Sequence, residues 1–169
     1  VAMLVSNGDQ ITIMQPSQFL QIGVGKFLGI PIPIYIMATL VIASHILLQH
    51  TVFGRRAIAV GANEVSAKLS GVNPHRTIIT VYIISSVTAS IAGIVMASLT
   101  QQAYAMNATG YEFEVITAIV IGGTSLMGGK GSVAGALIGA VMVGFINNGL
   151  NLLDMPSAYH PIATGVVIL

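Results

Sequence analysis

The segment of this chain that is most similar to a phosphate-binding loop is the glycine-rich run over residues 122–132. Glycine-rich loops can cradle phosphates with their backbone amides. The Walker pattern, however, needs a glycine four intervening residues before its Gly-Lys pair and a Ser or Thr after the lysine. Here Thr124 stands at the first position and Gly131 follows Lys130. Residues 129–134 fit the looser dinucleotide pattern, but the segment after them is apolar on all sides, as in a lipid-embedded helix. We interpret the run as a tight turn with Lys130 at a membrane interface.

The histidines and two neighbouring acids are the next candidates for chemistry. The histidines (His45, His50, His75 and His160) show no ligand spacing, so neither a metal site nor a catalytic site is predicted. Glu112 and Glu114 lie just before an apolar segment. We interpret them as solvated acids at the outer membrane interface, since the acids of a proton relay would have to lie deeper.

Three asparagines follow one another in the last long apolar segment. Amide side chains inside a membrane need hydrogen-bond partners, and Asn147 and Asn151 share one helix face. Two interpretations stay open, namely hydrogen bonding between helices and a polar lining for a sugar-like solute. On the second interpretation Asn147, Asn148 and Asn151 are tentative substrate-pathway residues.

The composition indicates the elements that must position these side chains. The chain is 54% hydrophobic and 7% charged, with a mean hydropathy of +0.89. Soluble domains carry about 25% charged residues, so this sequence belongs in lipid. A net charge of +1 without a basic run gives no support to nucleic-acid binding. The absence of cysteine from the sequence excludes disulfides and thiolate metal sites.

Three apolar segments are long enough to cross a membrane. A hydrocarbon core of about 30 Å needs roughly 20 helical residues, and residues 32–49, 77–99 and 133–153 meet that length. Residues 115–127 are shorter and are predicted to cross rather than to re-enter, and residues 161–169 are predicted to be the first half of another span. The predicted fold is an all-α, polytopic transmembrane helix bundle of four to five spans or part-spans, with residues 1–169 forming one partial domain.

Small residues recur at helical spacing in two of these spans. Gly131, Gly135 and Gly139 form one row, and Ala136, Ala140 and Gly144 form a second row beside it. Ala89, Gly93 and Ala97 repeat the spacing in the earlier span. Small side chains let helix backbones approach closely in lipid, so these rows predict tight packing within the bundle and do not identify a substrate.

The polar loop Phe53–Arg76 separates two of the spans. It holds four of the six basic residues and one acid, Glu64. Basic residues near the ends of spans are retained on the cytoplasmic side, so the loop is predicted to be cytoplasmic. Residues 100–114, which carry acids and no basic residue, then lie outside.

Within this loop the sequence predicts a short amphipathic helix. Asn63 suits the N-cap, and Glu64 suits the first turn, with Lys68 four residues later. Gly71 suits the position just after the helix, and Pro74 prevents its continuation. Val65, Leu69 and Val72 form an apolar stripe. A helix of two turns is not stable alone, so either its own bundle or a groove on a cytoplasmic partner must bury this stripe.

Two long runs carry a family resemblance. Residues 53–72 (FGRRAIAVGANEVSAKLSGV) and residues 121–131 (IGGTSLMGGKG), followed by residues 144–153 (GFINNGLNLL), resemble the permease subunits of ribose-type bacterial ABC importers. The first run is similar to the cytoplasmic segment that docks on the ATPase in that family. Val65 and Ser66 depart from the Glu and first Ala of its motif.

The resemblance implies a function and a set of partners. It implies an inner-membrane, multi-pass permease subunit that is not an enzyme and holds no cofactor, while ATP and Mg²⁺ bind to a separate cytoplasmic ATP-binding subunit. A periplasmic solute-binding protein and a second permease subunit, identical or different, complete the implied assembly. Related permeases carry ribose, xylose, galactose or autoinducer-2. The residues implied to couple to the ATPase are Arg55, Arg56, Asn63, Glu64, Ala67, Lys68, Leu69 and Gly71.

The alternative to an ABC importer is a secondary transporter or channel subunit that is not coupled to an ATPase. A secondary transporter needs ionisable side chains at mid-membrane. None of the three complete predicted spans has Asp, Glu, Lys or Arg in its interior. A channel subunit fits the composition but leaves the capped helix in the loop unexplained.

Overall fold

The computed structural model describes residues 11–12, 19–103, 108–154 and 165. These residues fall into two units, one formed by Val1–Ile42 with Thr80–Thr109 and the other by Ala43–Ile79 with Gly110–Leu169. Two long helices, Ile32–His50 and Pro74–Thr100, each contribute to both units. The predicted half-span at residues 161–169 and His160 lie outside the described residues, apart from residue 165.

Three helices are long and apolar enough to cross a membrane. They are α2 (Ile32–His50), α5 (Pro74–Thr100) and α7 (Val133–Leu152), with mean hydropathies of 1.8, 2.1 and 1.7 over their most apolar windows. Each lies within three residues of its predicted bounds, because apolar length decides where such helices lie. The all-α membrane bundle predicted from the sequence is confirmed.

The first unit contains α1 (Leu20–Val24) and four short strands. Strand β1 (Ile11–Thr12) pairs with β4 (Gln102–Ala103), and β2 (Lys26–Phe27) pairs with β3 (Ile30–Pro31), both antiparallel. The fully buried Ser98 hydroxyl holds α1 against α5. It donates to the Phe19 carbonyl oxygen and accepts from the Gly23 amide, each at 2.8 Å. This anchor joins the segment before the first span to the end of α5.

The second unit contains two short helices and a helical hairpin. The short helices, α3 (Val52–Ala62) and α4 (Glu64–Leu69), follow α2 and precede α5. The hairpin consists of α6 (Tyr111–Ile121) and α7, joined by the glycine-rich turn over residues 122–132. Within the loop Phe53–Arg76 only the helix α4 was predicted from the sequence, so α3 is an additional helix.

Helix α6 corrects the predicted crossing at residues 115–127. It begins earlier, with Glu112 and Glu114 in its first turn, where the helix dipole favours acids. It ends at Ile121 because Gly123, at φ +80°, closes the helix: the Gly123 and Thr124 amides donate to the Val120 and Ile119 carbonyls. Eleven residues extend about 16 Å, roughly half the hydrocarbon thickness. The helix is therefore a part-span.

Glycines let α6 and α7 pack with their backbones in contact. A Cβ atom built on Gly139 would overlap the Ala118 carbonyl oxygen, and one on Gly135 would overlap the Gly122 carbonyl oxygen. The tight packing predicted for this row is confirmed here. Around Gly93 in α5, by contrast, a Cβ would meet no atom of the described residues within 4 Å.

We expect Gly139→Ala to destabilise the hairpin. Because the added Cβ meets a backbone oxygen that cannot rotate away, overpacking should lower the free energy of unfolding by about 1–3 kcal/mol. The control is Gly149→Ala in the same helix, where a Cβ meets no atom of the described residues within 4 Å and alanine should stabilise the helix by up to about 1 kcal/mol. Thermal unfolding of the purified protein in detergent measures both. Equal shifts for the two variants would contradict this packing.

Candidate functional site

The candidate site begins directly after α2, where the chain turns sharply. The Thr51 hydroxyl donates to the Leu47 carbonyl oxygen at 2.6 Å and accepts from the Gly54 amide at 3.2 Å, so one side chain ends α2 and caps α3. Gly54 is buried, and a Cβ there would overlap the Leu48 carbonyl oxygen. These local contacts turn the chain directly from the span into α3, which carries Arg55 and Arg56.

Helix α4 is capped at both ends, as the sequence predicts. The Asn63 side chain accepts from the Ser66 amide at 2.9 Å, and Glu64 stands in the first turn. Gly71, at φ +81°, receives the chain after the helix, and the Gly71 and Val72 amides donate to the Lys68 and Ala67 carbonyls at 3.0 Å. Six residues are therefore held in one helical conformation without depending on intrinsic helix stability.

The apolar side chains of α4 divide between the interior and solvent. Ala67 is buried, at 5% exposure, and anchors the helix to its own unit. Val65 and Leu69, one turn apart, are 70% and 86% exposed. An open cleft of about 450 Å³ lies beside the helix and is lined by Glu64, Lys68 and residues 71–75. Within the described residues, therefore, nothing covers the apolar face of α4.

The loop that contains this face is rich in exposed charged side chains. Arg55, Arg56, Lys68 and Arg76 are all exposed, and Glu64 is the one acid of the loop. The structure brings every residue predicted for coupling onto α3, α4 or the turn after α4. The surface combines a positive excess with exposed apolar side chains. Such a surface suits a protein partner with acidic groups around an apolar groove.

The glycine-rich turn packs against the end of α3. A Cβ on Gly128 would overlap the Gly61 carbonyl oxygen, and one on Gly129 would lie 2.8 Å from the Ala62 Cβ. Gly128 and Gly129 have φ angles of +84° and +76°, which favour glycine. The turn is closed by the Ser125 amide, which donates to the Lys130 carbonyl oxygen at 3.0 Å. Because its glycines are covered by α3, the turn is a packing element, which agrees with its interpretation as a tight turn.

The three asparagines have different surroundings. The Asn147 Nδ2 donates to Glu114 Oε1 at 3.3 Å and so joins α7 to α6. Asn148 and Asn151 are exposed. The hydrogen bond shows that the helix-joining interpretation holds for Asn147, while the substrate-pathway role of all three stays a prediction. The partner of Glu114, Asn147, lies five residues before the end of α7, and the interfacial position of Glu114 stays a prediction.

Metal binding has no structural support in the part of the chain that the structure describes. No three side chains among His, Cys, Asp and Glu gather there to hold an ion. The His45 and His50 rings lie 5.9 Å apart, centroid to centroid, with an angle of 60° between their planes. These two residues lie at the end of α2 and form a ring contact.

Several positioning residues were missed by the sequence analysis. Thr51 gives a detectable signal, since a threonine directly before a helical stretch suits an N-cap. Ser98 and Gly61 give none, because each acts through a contact with residues far away in sequence. The approach of α3 to the glycine-rich turn is therefore information that only the folded chain supplies.

Three long apolar helices define a membrane protein, and between two of them along the chain stands the capped helix α4 with its exposed apolar and basic side chains. The chain belongs to the family described as the permease component of the branched-chain amino acid transport system, which matches residues 3–169.

Named relatives of the chain are sugar permeases. It is 42% identical to the ribose import permease protein RbsC of Escherichia coli K12, over 100% of this chain and 54% of the relative. Identity to RbsC of Bacillus subtilis is 38%, over 100% and 53%. The L-arabinose transport system permease protein AraH of E. coli K12 is 35% identical, over 100% and 51%. The chain thus spans about half the length of these relatives. No solved structure matches it.

Proposed function

We propose that this chain is part of the membrane-spanning permease of an ATP-binding-cassette importer that carries a sugar or sugar-like solute into the cytoplasm. Membership of a permease family and the names of the relatives support this class of function. The observation that carries the coupling to an ATPase is the capped helix α4, with Val65 and Leu69 at 70% and 86% exposure.

The proposed occupant of the α4 face is the cytoplasmic ATP-binding subunit. The helix is anchored by the buried Ala67 and by both caps. A force that the partner exerts on the outer face of α4 would therefore move the rest of its unit. The positive excess of Phe53–Arg76 supports a cytoplasmic position for the loop and an acidic rim around the partner's groove. ATP and Mg²⁺ would bind to that partner, and this chain would hold no cofactor and catalyse no reaction.

A displacement of α4 would be transmitted to the hairpin of α6 and α7 through direct contacts. The end of α3 touches the glycine-rich turn through Gly61 and Gly128, and that turn joins the two hairpin helices. Movement of α3 and α4 would therefore move the hairpin that carries Asn147. The work would come from ATP-dependent differences in contact between the two states of the complex. A solute-binding protein outside and a second permease subunit would complete the importer, in a bacterial inner membrane.

Reconstituted transport tests this function. The full-length permease is purified with its ATP-binding and solute-binding partner proteins and placed in liposomes. Uptake of labelled D-ribose, L-arabinose, D-xylose, D-galactose and autoinducer-2 is then measured with and without ATP. We expect ATP-dependent uptake of at least one solute, and none when the nucleotide-binding lysine of the partner is replaced. Uptake that ignores ATP and follows an ion gradient would favour the secondary-transporter alternative.

A further inference from the structure

A small cleft, mostly apolar but with three polar groups, lies between α6 and α7. It has a volume of about 200 Å³ and is open to its surroundings. Tyr111, Glu114 and Asn147 supply its polar groups, and small or apolar side chains such as Ala118 and Ala140 supply its walls. The size is below the range of about 300–1,000 Å³ for closed sites that hold drug-sized ligands. It suits a surface that contacts one part of a passing solute.

The acid in this cleft lies within the length of a membrane-spanning helix. Glu114 meets Asn147, which lies five residues before α7 ends at Leu152, or about 8 Å along the helix axis. No salt bridge to Glu114 is found among the residues that the structure describes. An acid at such a depth is costly in a membrane and characteristically faces a water-filled route. The cleft is open to its surroundings, as such a route requires.

The hydrogen bonds of the cleft leave several polar atoms available. Glu114 Oε1 accepts from Asn147 Nδ2 at 3.3 Å. In the described part of the chain, no hydrogen bond reaches Glu114 Oε2, Asn147 Oδ1 or the Tyr111 hydroxyl. A carboxylate oxygen and an amide oxygen are acceptors, and a phenol can both donate and accept. Two hydrogen-bond acceptors beside one hydroxyl group complement an uncharged ligand that has several O–H donors.

We propose that Glu114 and Asn147 form a hydroxyl-binding point for a neutral polyhydroxylated solute on its route through the membrane, with Tyr111 at its edge. This inference rests on the proposed transport function and names the residues that would contact the solute. The competing explanation is that the pair only joins α6 to α7. The two explanations differ in what happens when the carboxylate becomes an amide, because glutamine can still accept from Asn147.

The test uses Glu114→Gln with Glu112→Gln as its matched control. Glu112 lies in the same helical turn and is exposed, and its Oε2 accepts at 3.1 Å from the amide of Gly110, two residues earlier in the chain. In the reconstituted complex, E114Q should lower ATP-dependent uptake of the best-transported sugar of the panel by about 10- to 100-fold, the value of a hydrogen bond to a charged group. E112Q should stay within about twofold of wild type.

A comparison of the sugar with its monodeoxy analogues separates solute contact from packing. The wild type should prefer the sugar over the analogue that lacks the contacted hydroxyl, and E114Q should lose that preference while its thermal unfolding stays unchanged. Uptake by E114Q that matches E112Q would overturn the proposal. So would an equal loss for all analogues with a lower unfolding temperature. Failure of the wild-type complex to show any ATP-driven uptake would overturn the proposed function and this inference together.

Discussion

Replacement of Leu69 by glutamate is expected to abolish ATP-driven uptake. Leu69 is 86% exposed in the chain alone, and the account places it in an apolar groove of the ATP-binding subunit. The substitution would put a charge into that groove, which should weaken association with the ATP-binding subunit by roughly 2–4 kcal/mol, or about 30- to 1,000-fold. Co-purification of the ATP-binding subunit and ATP-dependent uptake measure the effect.

Two controls isolate the apolar contact. Leu69→Met keeps the side chain apolar and nearly the same volume, so it should retain association. Ser66→Glu places the same charge on α4 but away from the line of Val65 and Leu69, and it leaves intact the Ser66 amide that Asn63 caps. It should reduce association by less than about 1 kcal/mol. If L69E bound the ATP-binding subunit as tightly as L69M, docking through this face would be ruled out.

Replacement of Gly128 by alanine should damage both stability and transport. The substitution imposes a left-handed backbone on alanine, which costs about 1–2 kcal/mol. It also forces a Cβ into the Gly61 carbonyl oxygen, which adds about 1–3 kcal/mol. This contact is proposed to transmit movement from α3 and α4 to the hairpin. We therefore expect uptake to fall while the ATP-binding subunit stays associated. Thermal unfolding, co-purification and uptake together report the three effects.

Gly123→Ala is the matched control for this prediction. Gly123 lies in the same turn at φ +80°, but a Cβ there meets no atom within 4 Å in the part of the chain that the structure describes. Its cost should be the backbone term alone, about 1–2 kcal/mol. The difference between the two variants measures the contact with Gly61. A Gly128→Ala protein that is no less stable than Gly123→Ala and transports equally well would show that the contact carries neither stability nor motion.

Local signals predicted much of the membrane fold. Apolar length located α2, α5 and α7, because a helix in lipid must satisfy its backbone within about 20 consecutive residues. Caps located α4, because Asn63 and Gly71 act on amides and carbonyls a few residues away. Both kinds of signal are contained in short windows of sequence.

Contacts between distant segments could not be predicted in this way. The part-span α6 has an apolar stretch like that of a short span, and only its actual closure at Gly122 and Gly123 sets its length. The hydrogen bond between Glu114 and Asn147 could not be predicted, because its partners lie on different helices, 33 residues apart in the chain. The approach of Gly128 to Gly61 likewise depends on how the glycine-rich turn folds back.

Cross-linking from α4 tests the central claim most directly. The chain contains no cysteine, so Leu69→Cys introduces a single thiol into this segment. After assembly of the full complex, a short thiol-to-amine cross-linker is added and the product is identified by mass spectrometry. The account predicts a Leu69→Cys product with the ATP-binding subunit whose yield changes on ATP binding. A product formed only with another part of the permease itself, and unaffected by ATP, would contradict it.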